Sequence, residues 1–485
     1  MKKWHYFLII GLIFLLGIGI RLIDITDHPF EIHGARQMRS ALISRDLFEG
    51  GVDIFSTHGM IEPPIIESLS TGIYFLLGEE VVWLGRVFSI LFWMFGAAAL
   101  YDLSRRISNN FGAMVALVFY LFPTFTVLNS RTMMPDPMMT AGIIISIWSL
   151  YRWQKKRTRK WALAAGLITG VTILIKAYAG LILIVPFAIY ILITNKPKEA
   201  IKDKNLWIIF ALSALPVAAY FFYGLVIDGR MASQFDNRFF TSYAFDPGHY
   251  VRWFYVLDDL FSLPLILASM VSIAVHKDNK TKWLLTGTWI GYFLYGFFFP
   301  YHIRTHTYYH LPLVPIIAVS LAPLAGKVAD LIEEQKKKAF SLILIILALG
   351  IFSSVNLIRS YFEMMKDDYR EEAADWLAVE AVMSDQLNER MISVSADYNT
   401  RVTYYTHLKT SSWPLATDLA VMELSGDTPN FDNRWQETIE KFHYFLVFNP
   451  SELDKQPNLG DALSTYEVYY DGLGIIIYDL YSPIE

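Results

Sequence analysis

The chain has 485 residues, 54% of them hydrophobic, with 41 Lys and Arg against 46 Asp and Glu for a net charge of −5. Charged residues make up 18%, below the roughly 25% of soluble globular chains, and mean hydropathy is +0.35, which excludes a disordered or nucleic-acid-wrapping protein. No cysteine is present, so disulfides, thiolate metal sites and a Cys nucleophile are excluded too.

In chain order, apolar runs long enough to span a bilayer as helices, or nearly so, fall at about 5–22, 81–101, 112–129, 137–152, 161–176, 178–194, 207–227, 259–275, 283–300, 310–326 and 339–357, eleven in all, or ten or twelve according to how the short runs and those interrupted at Pro186 and Pro216 are divided. The first resembles a signal peptide in its Lys2, Lys3 and apolar stretch, but Arg21, Asp24 and Asp27 follow it in place of a small-residue cleavage site, so it reads as a retained helix. With the N-terminus inside, the inner segments hold 21 Lys and Arg while the outer loops, about twice as long, hold 9. This positive-inside bias and the odd span count predict an extracytoplasmic C-terminal part. The outer loop 24–80 is long for a linker. It carries a helix-like stretch from Ala35 to Phe48, a Pro63-Pro64 break and an amphipathic stretch Ile65–Leu77, a pattern that suits helices in the interface plane.

Charge divides the chain in the same place as hydropathy. Residues 1–356 hold 32 basic and 23 acidic side chains, and residues 357–485 hold 9 and 23. From about Arg359 the pattern is that of a polar α/β domain, with a helix over Asp367–Met383, strands at Met391–Val394 and His443–Phe448, and two β-rich runs around an Asp471-Gly472 turn. No glycine-rich nucleotide fingerprint and no internal repeat is present.

Carboxylates beside a bilayer are expensive, which singles out Glu31, Glu62, Glu67 and Asp136 at the outer loops. Asp136 precedes Pro137 and also suits a helix cap, and Glu62 and Glu31 also read as ordinary loop acids. Arg131, Lys176, Arg304, His302, His306 and His310 lie on outer edges where the positive-inside bias disfavours cations. An anionic lipid phosphate would hold them there by charge-assisted hydrogen bonds, and snorkelling to bulk lipid is the simpler alternative. His306 and His310 have i,i+4 spacing if the tenth helix begins that early. A divalent metal would need further ligands to which the sequence does not point, so no cofactor is predicted.

Six segments in order resemble the dolichyl-phosphate-mannose and aminoarabinose transferase families of the GT-C glycosyltransferase superfamily: HGARQMRSALISRDLFEGG, IEPPIIESLSTGIYFLLGE, Arg86, RTMMPDPMMT, Lys176 and HTYYHLPLVPIIAV. The resemblance covers most of residues 1–358. It implies an outer-face active site, a polyprenyl-phosphate sugar donor and inversion at the anomeric carbon. Two departures stand out. The first-loop helix reads Arg36, Gln37 and Arg39 where the family has an acid, leaving Glu31 upstream as substitute, and Glu62 is followed directly by Pro63 without the Lys of the aminoarabinose enzymes.

The fold expected is therefore a polytopic α-helical membrane protein of GT-C type, about eleven transmembrane helices over 1–358 including loop 24–80, with a small extracytoplasmic α/β domain over 359–485. The function expected is transfer of one sugar from the lipid carrier to a lipid or protein acceptor, with no nucleic-acid partner. Glu31 would act as base, Asp136 as second acid and Glu62 as loop support; Lys176, Arg131, His310, Arg304 and His306 would contact the phosphate. A flippase for a lipid-linked sugar and an inactive relative acting through its C-terminal domain are the alternatives.

Overall fold

The computed structural model describes residues 3–50, 62–229, 231, 241–334, 338–386, 389–408, 410–424, 426 and 430–484. All eleven apolar runs are helical, and two are broken where the sequence supplies a reason. Helices Asn110–Leu121 and Thr124–Asn129 separate at Pro123, which has no amide proton to continue the helix. Pro247–Phe261 and Leu263–Val275 meet at 90° across Ser262, whose φ of 66° and the following Leu263-Pro264 start a new helix, so the run expected from 259 is not one straight span. By length and apolar composition four described helices can cross a membrane, or five if the bent pair counts as one span. Leu, Phe and Ile side chains stand exposed along them and along the shorter apolar helix Tyr6–Leu22, among them Phe7, Leu15, Phe95, Phe210 and Ile351, a surface that lipid satisfies and water does not.

Contacts divide the chain into two compact units, 1–25 with 52–366, and 26–51 with 367–485. In the first unit, small residues let helices approach closely. A Cβ on Gly170 would lie 2.2 Å from the Leu212 carbonyl oxygen, and one on Gly291 2.2 Å from that of Ile182, so helices Arg159–Ile175 and Asn279–Phe298 pack backbone to backbone on Lys204–Phe222 and Ala179–Thr194. Arg21 is fully buried and ties three segments: Nε donates to Ser130 Oγ at 2.6 Å, Nη1 to the Gly17 carbonyl at 2.8 Å and Nη2 to that of Leu121 at 2.9 Å.

The second unit contains a five-stranded sheet, β1 Met391–Val394, β2 Thr410–Ser412, β3 Tyr444–Val447, β4 Tyr466–Gly472 and β5 Ile475–Pro483, in the order β2-β1-β3-β5-β4. β1 is parallel to β2 and β3, and β5 is antiparallel to both its neighbours. β1 and β3 are buried on both faces, as suits the apolar run of β3 and that of β1, which only Ser393 interrupts. The hairpin lies where the sequence puts it, but its two-residue loop is Leu473-Gly474, with φ of 53° and 73°, rather than Asp471-Gly472. Two consecutive left-handed residues match the twist of the flanking strands, and Gly474 adopts that conformation without steric cost.

Residues 26–51 belong to this second unit, so the boundaries drawn from the sequence shift. Helix Gly34–Glu49 does not simply lie in an interface plane. It packs on Thr400–Thr406, where the Arg45 guanidinium sits 3.8 Å above the Tyr404 ring and donates to the Tyr404 carbonyl. Phe30 is buried among Tyr369 and Tyr405 at 5.7 Å each, with the Arg401 guanidinium 4.4 Å above its ring.

The close backbone approach at Gly291 makes a clear prediction. Gly291→Ala overpacks a rigid carbonyl and costs about 1–3 kcal/mol, whereas Gly350→Ala, with nothing within 4 Å of the new methyl, leaves stability unchanged or raised. Thermal unfolding of the detergent-solubilised variants, followed by loss of the monodisperse peak, separates the two outcomes.

Candidate active site

Asp136 is the second residue of helix Pro135–Lys156, where Pro135 needs no hydrogen-bond acceptor and the free amides of the first turn favour a negative charge. Lys176 ends the neighbouring helix Arg159–Ile175, and the short turn 176–178 reverses the chain into Ala179–Thr194. This turn delivers two side chains to one carboxylate. Lys176 Nζ donates to both Asp136 oxygens at 2.9 Å, and Tyr178 donates its hydroxyl to Oδ1 at 2.8 Å. Glu62 Oε1 lies 4.0 Å from the same amine. Lys176 is 3% exposed and Asp136 1%, so this is a buried cluster of one cation and two acids.

Aromatic rings wall the ammonium group. Tyr178, Tyr308 and Tyr309 centroids lie 5.3, 5.3 and 5.5 Å from Nζ, within cation–π range. Tyr178 stacks on Tyr295 at 4.6 Å and on Tyr309 at 5.6 Å, which holds its hydroxyl on Asp136. The sequence reading omitted these tyrosines. Tyr178 stands two residues after Lys176 and Tyr308-Tyr309 immediately before His310, but an aromatic at a helix end has many uses, and only the packing shows that these rings share one cation.

The other predicted phosphate contacts divide. His306 lies in the 301–309 segment with the centroid of Tyr309 at 5.8 Å, and burial, followed by the charge of Lys176, pushes its pKa below the ordinary value. Arg304 is 3.8 Å from Asp246 and 4.9 Å from the Tyr243 ring. Arg131 and His310 belong to the scaffold. The Arg131 guanidinium donates to the carbonyls of Ile23 at 2.6 Å and Asp24 at 3.0 Å and touches Met364 Sδ, joining the end of the first helix to the end of Lys338–Met364. His310 is fully buried with both ring nitrogens used, Nε2 2.7 Å from the Ile303 carbonyl and Nδ1 2.7 Å from the Tyr292 hydroxyl. A carbonyl only accepts, so Nε2 carries the proton and Nδ1 accepts from Tyr292. His306 and His310 do not share a helix face, because Thr307–His310 is a 3₁₀ turn and the following helix begins only at Leu313.

Glu67 and Arg86 are buried in the same unit, Arg86 donating to the Ile25 carbonyl at 3.3 Å. Glu31 belongs to the second unit. It follows the buried Phe30 and precedes Ile32, whose carbonyl accepts from Gln37 Nε2 at 2.7 Å. Its charge reaches Tyr369, whose hydroxyl pKa is raised to about 12 by burial and by Asp367, Glu31 and Glu372, against the opposing Arg401.

The first unit is thus a helical body with an apolar outer surface and a lysine–carboxylate cluster at its helix ends, and the second carries a mixed sheet. Residues 62–223, which hold Glu62, Asp136, Lys176 and Tyr178, match the dolichyl-phosphate-mannose-protein mannosyltransferase family. The chain is similar to ArnT from Cupriavidus metallidurans bound to undecaprenyl phosphate, with 13% identity over 97% of this chain and 98% of that one and a TM-score of 0.63. It is similar also to the archaeal oligosaccharyltransferase AglB from Archaeoglobus fulgidus, in complex with an inhibitory peptide and a dolichol-phosphate. There the identity is 13% over 98% of this chain and 74% of that one, with a TM-score of 0.58. None of the curated proteins compared matches the chain. The GT-C resemblance read from the sequence is thus borne out by family match and fold together.

The cluster predicts strong coupling. Lys176→Met leaves the Asp136 carboxylate buried without its cation and costs about 3–5 kcal/mol, as does Asp136→Leu in reverse, whereas the double replacement costs less than the sum of the two. Unfolding free energies of the four proteins in detergent give the coupling directly.

Proposed function

We propose that the protein is a membrane glycosyltransferase that moves one sugar from a polyprenyl-phosphate donor to a lipid or protein acceptor on the extracytoplasmic face, with inversion. The observation that carries this reading is the buried Asp136–Lys176–Tyr178 cluster with Glu62 beside it. It lies in the segment that matches a family using a lipid-phosphate mannose donor. An undecaprenyl-phosphate complex of ArnT and a dolichol-phosphate complex of AglB, both of similar fold, support the same donor chemistry.

In this scheme the acceptor hydroxyl attacks the anomeric carbon, its proton passes to a carboxylate, and the bond from carbon to phosphate oxygen breaks with its electron pair on the phosphate. The resemblance read from the sequence gives the role of that carboxylate to Glu31. Lys176, whose amine has a third N–H beyond the two directed at Asp136, stabilises the negative charge growing on the leaving phosphate. Asp136 and Tyr178 hold that amine in place, Glu62 supports it from the other side, and Arg304 and His306 extend the polar face. The scheme requires no cofactor. Eleven spans with the N-terminus inside and the C-terminal unit outside complete the proposal.

Glu31→Gln is expected to insert and purify as the parent does, and Asp136→Asn to insert with lowered stability because Lys176 loses its buried counter-charge, both losing transfer per folded molecule by at least about 10²-fold, the usual worth of a positioned acid or base. Release of sugar from a radiolabelled polyprenyl-phosphate donor onto acceptor is the measurement. Undiminished transfer by both variants overturns the site assignment.

A further inference from the structure

A groove of about 580 Å³ lies between helices Leu263–Val275 and Asn279–Phe298, away from the site above. Met270, Ile273 and Ala274 form one wall. The other is a stripe of Asn279–Phe298 that includes Lys282, Thr286, Trp289 and Phe293, spaced by four, three and four residues and so on one helix face. Gly287 and Gly291 of the same helix are pressed against Pro186 and Ile182, which leaves the stripe for another occupant. Trp283 and Ile290, at the rim, are 48% and 43% exposed, so the groove opens outward.

Two features make it more than an ordinary lipid-facing surface. Its floor is fixed: Trp289 Nε1 donates to Ser320 Oγ at 3.1 Å and the Leu324 amide to Ser272 Oγ at 2.9 Å, which ties both walls to helix Leu313–Glu333. Its lining is also graded, with Lys282 and Thr286 at the helix start and apolar side chains beyond. Among the described residues Lys282 has no ion-pair partner. Asp278 is engaged in capping, accepting from the Lys280 amide at 3.2 Å and Thr281 Oγ1 at 2.8 Å, and the segment adds Lys277 and Lys280. A preformed groove with a cationic end and an apolar body is complementary to a single amphiphile of opposite charge.

We propose that this groove is a binding site for an anionic phospholipid, with the phosphate on Lys282 and Thr286 and an acyl chain along Trp289, Ile290 and Phe293. Lys282 stands thirteen residues before Tyr295, which stacks on Tyr178 in the candidate active site, a rise of about 20 Å along the helix. The lipid therefore occupies a place separate from the donor phosphate.

The test uses the full-length protein in vesicles of phosphatidylcholine containing brominated-chain phosphatidylglycerol or, in parallel, brominated-chain phosphatidylcholine. Bromine quenches nearby tryptophan, and the difference between parent and Trp283→Phe isolates the signal at the groove. An anionic site gives about fivefold stronger apparent association of the glycerol lipid, the worth of one basic residue at an anionic lipid surface. Lys282→Ala brings the ratio to one and Lys282→Arg keeps it, both with unchanged sugar transfer. Equal quenching by the two lipids in the parent, or an unchanged ratio in Lys282→Ala, overturns the proposal. Displacement of the brominated lipid by polyprenyl phosphate at lower mole fraction than by phosphatidylglycerol also overturns it, because the groove would then hold the carrier.

Discussion

The ion pair between Lys176 and Asp136 governs the first unit. Removing either charge from water costs several kcal/mol, so each needs the other, and Asp136 Oδ1 gains a further hydrogen bond from Tyr178. That requirement fixes local geometry. The helix after Met134 must start with Asp136 facing the turn at 176–178, and that turn must present Lys176 and Tyr178 together. The tyrosine stack through Tyr295 and Tyr309 then follows, since a hydroxyl held on a carboxylate needs its ring held as well.

Buried cations of the first unit serve different tasks. Arg131 and Arg86 donate to backbone carbonyls of the segment that follows the first helix, and Arg21 donates to the Gly17 and Leu121 carbonyls and to Ser130 Oγ. Lys176 is directed at side-chain carboxylates and aromatic faces, an arrangement that leaves donor capacity over. The same distinction separates Lys282 from the basic residues around it: its amine lies in a groove, at the polar end of an apolar surface. A guanidinium with five donors suits the first task, and a compact ammonium with three suits the second.

Much of the candidate site could be read in the sequence because bilayers make charges rare. Asp136, Lys176 and Glu62 stood out as charges at outer loop edges, and all three meet in one cluster. The same argument also selected Arg131 and His310, which the fold uses as ties, since a cation at a loop edge looks alike whether its partner is a lipid phosphate or a carbonyl of a distant turn. The tyrosines around Lys176 were missed for the converse reason. In a chain with 28 tyrosines, none is conspicuous until it is packed.

By itself the sequence determined that the chain is apolar, helical and ended by an acidic α/β unit, because hydropathy and periodicity are local properties that each segment carries alone. It also placed the C-terminal hairpin, which depends on one or two residues, whereas the runs broken at Pro123 and at Ser262 read as continuous. Only the tertiary structure decided that residues 26–51 fold with 367–485, that the sheet runs β2-β1-β3-β5-β4, and which charged side chains share a partner. These depend on contacts between segments separated in the chain, from Met391 with Thr410 to Arg45 with Tyr404, and no local pattern encodes them.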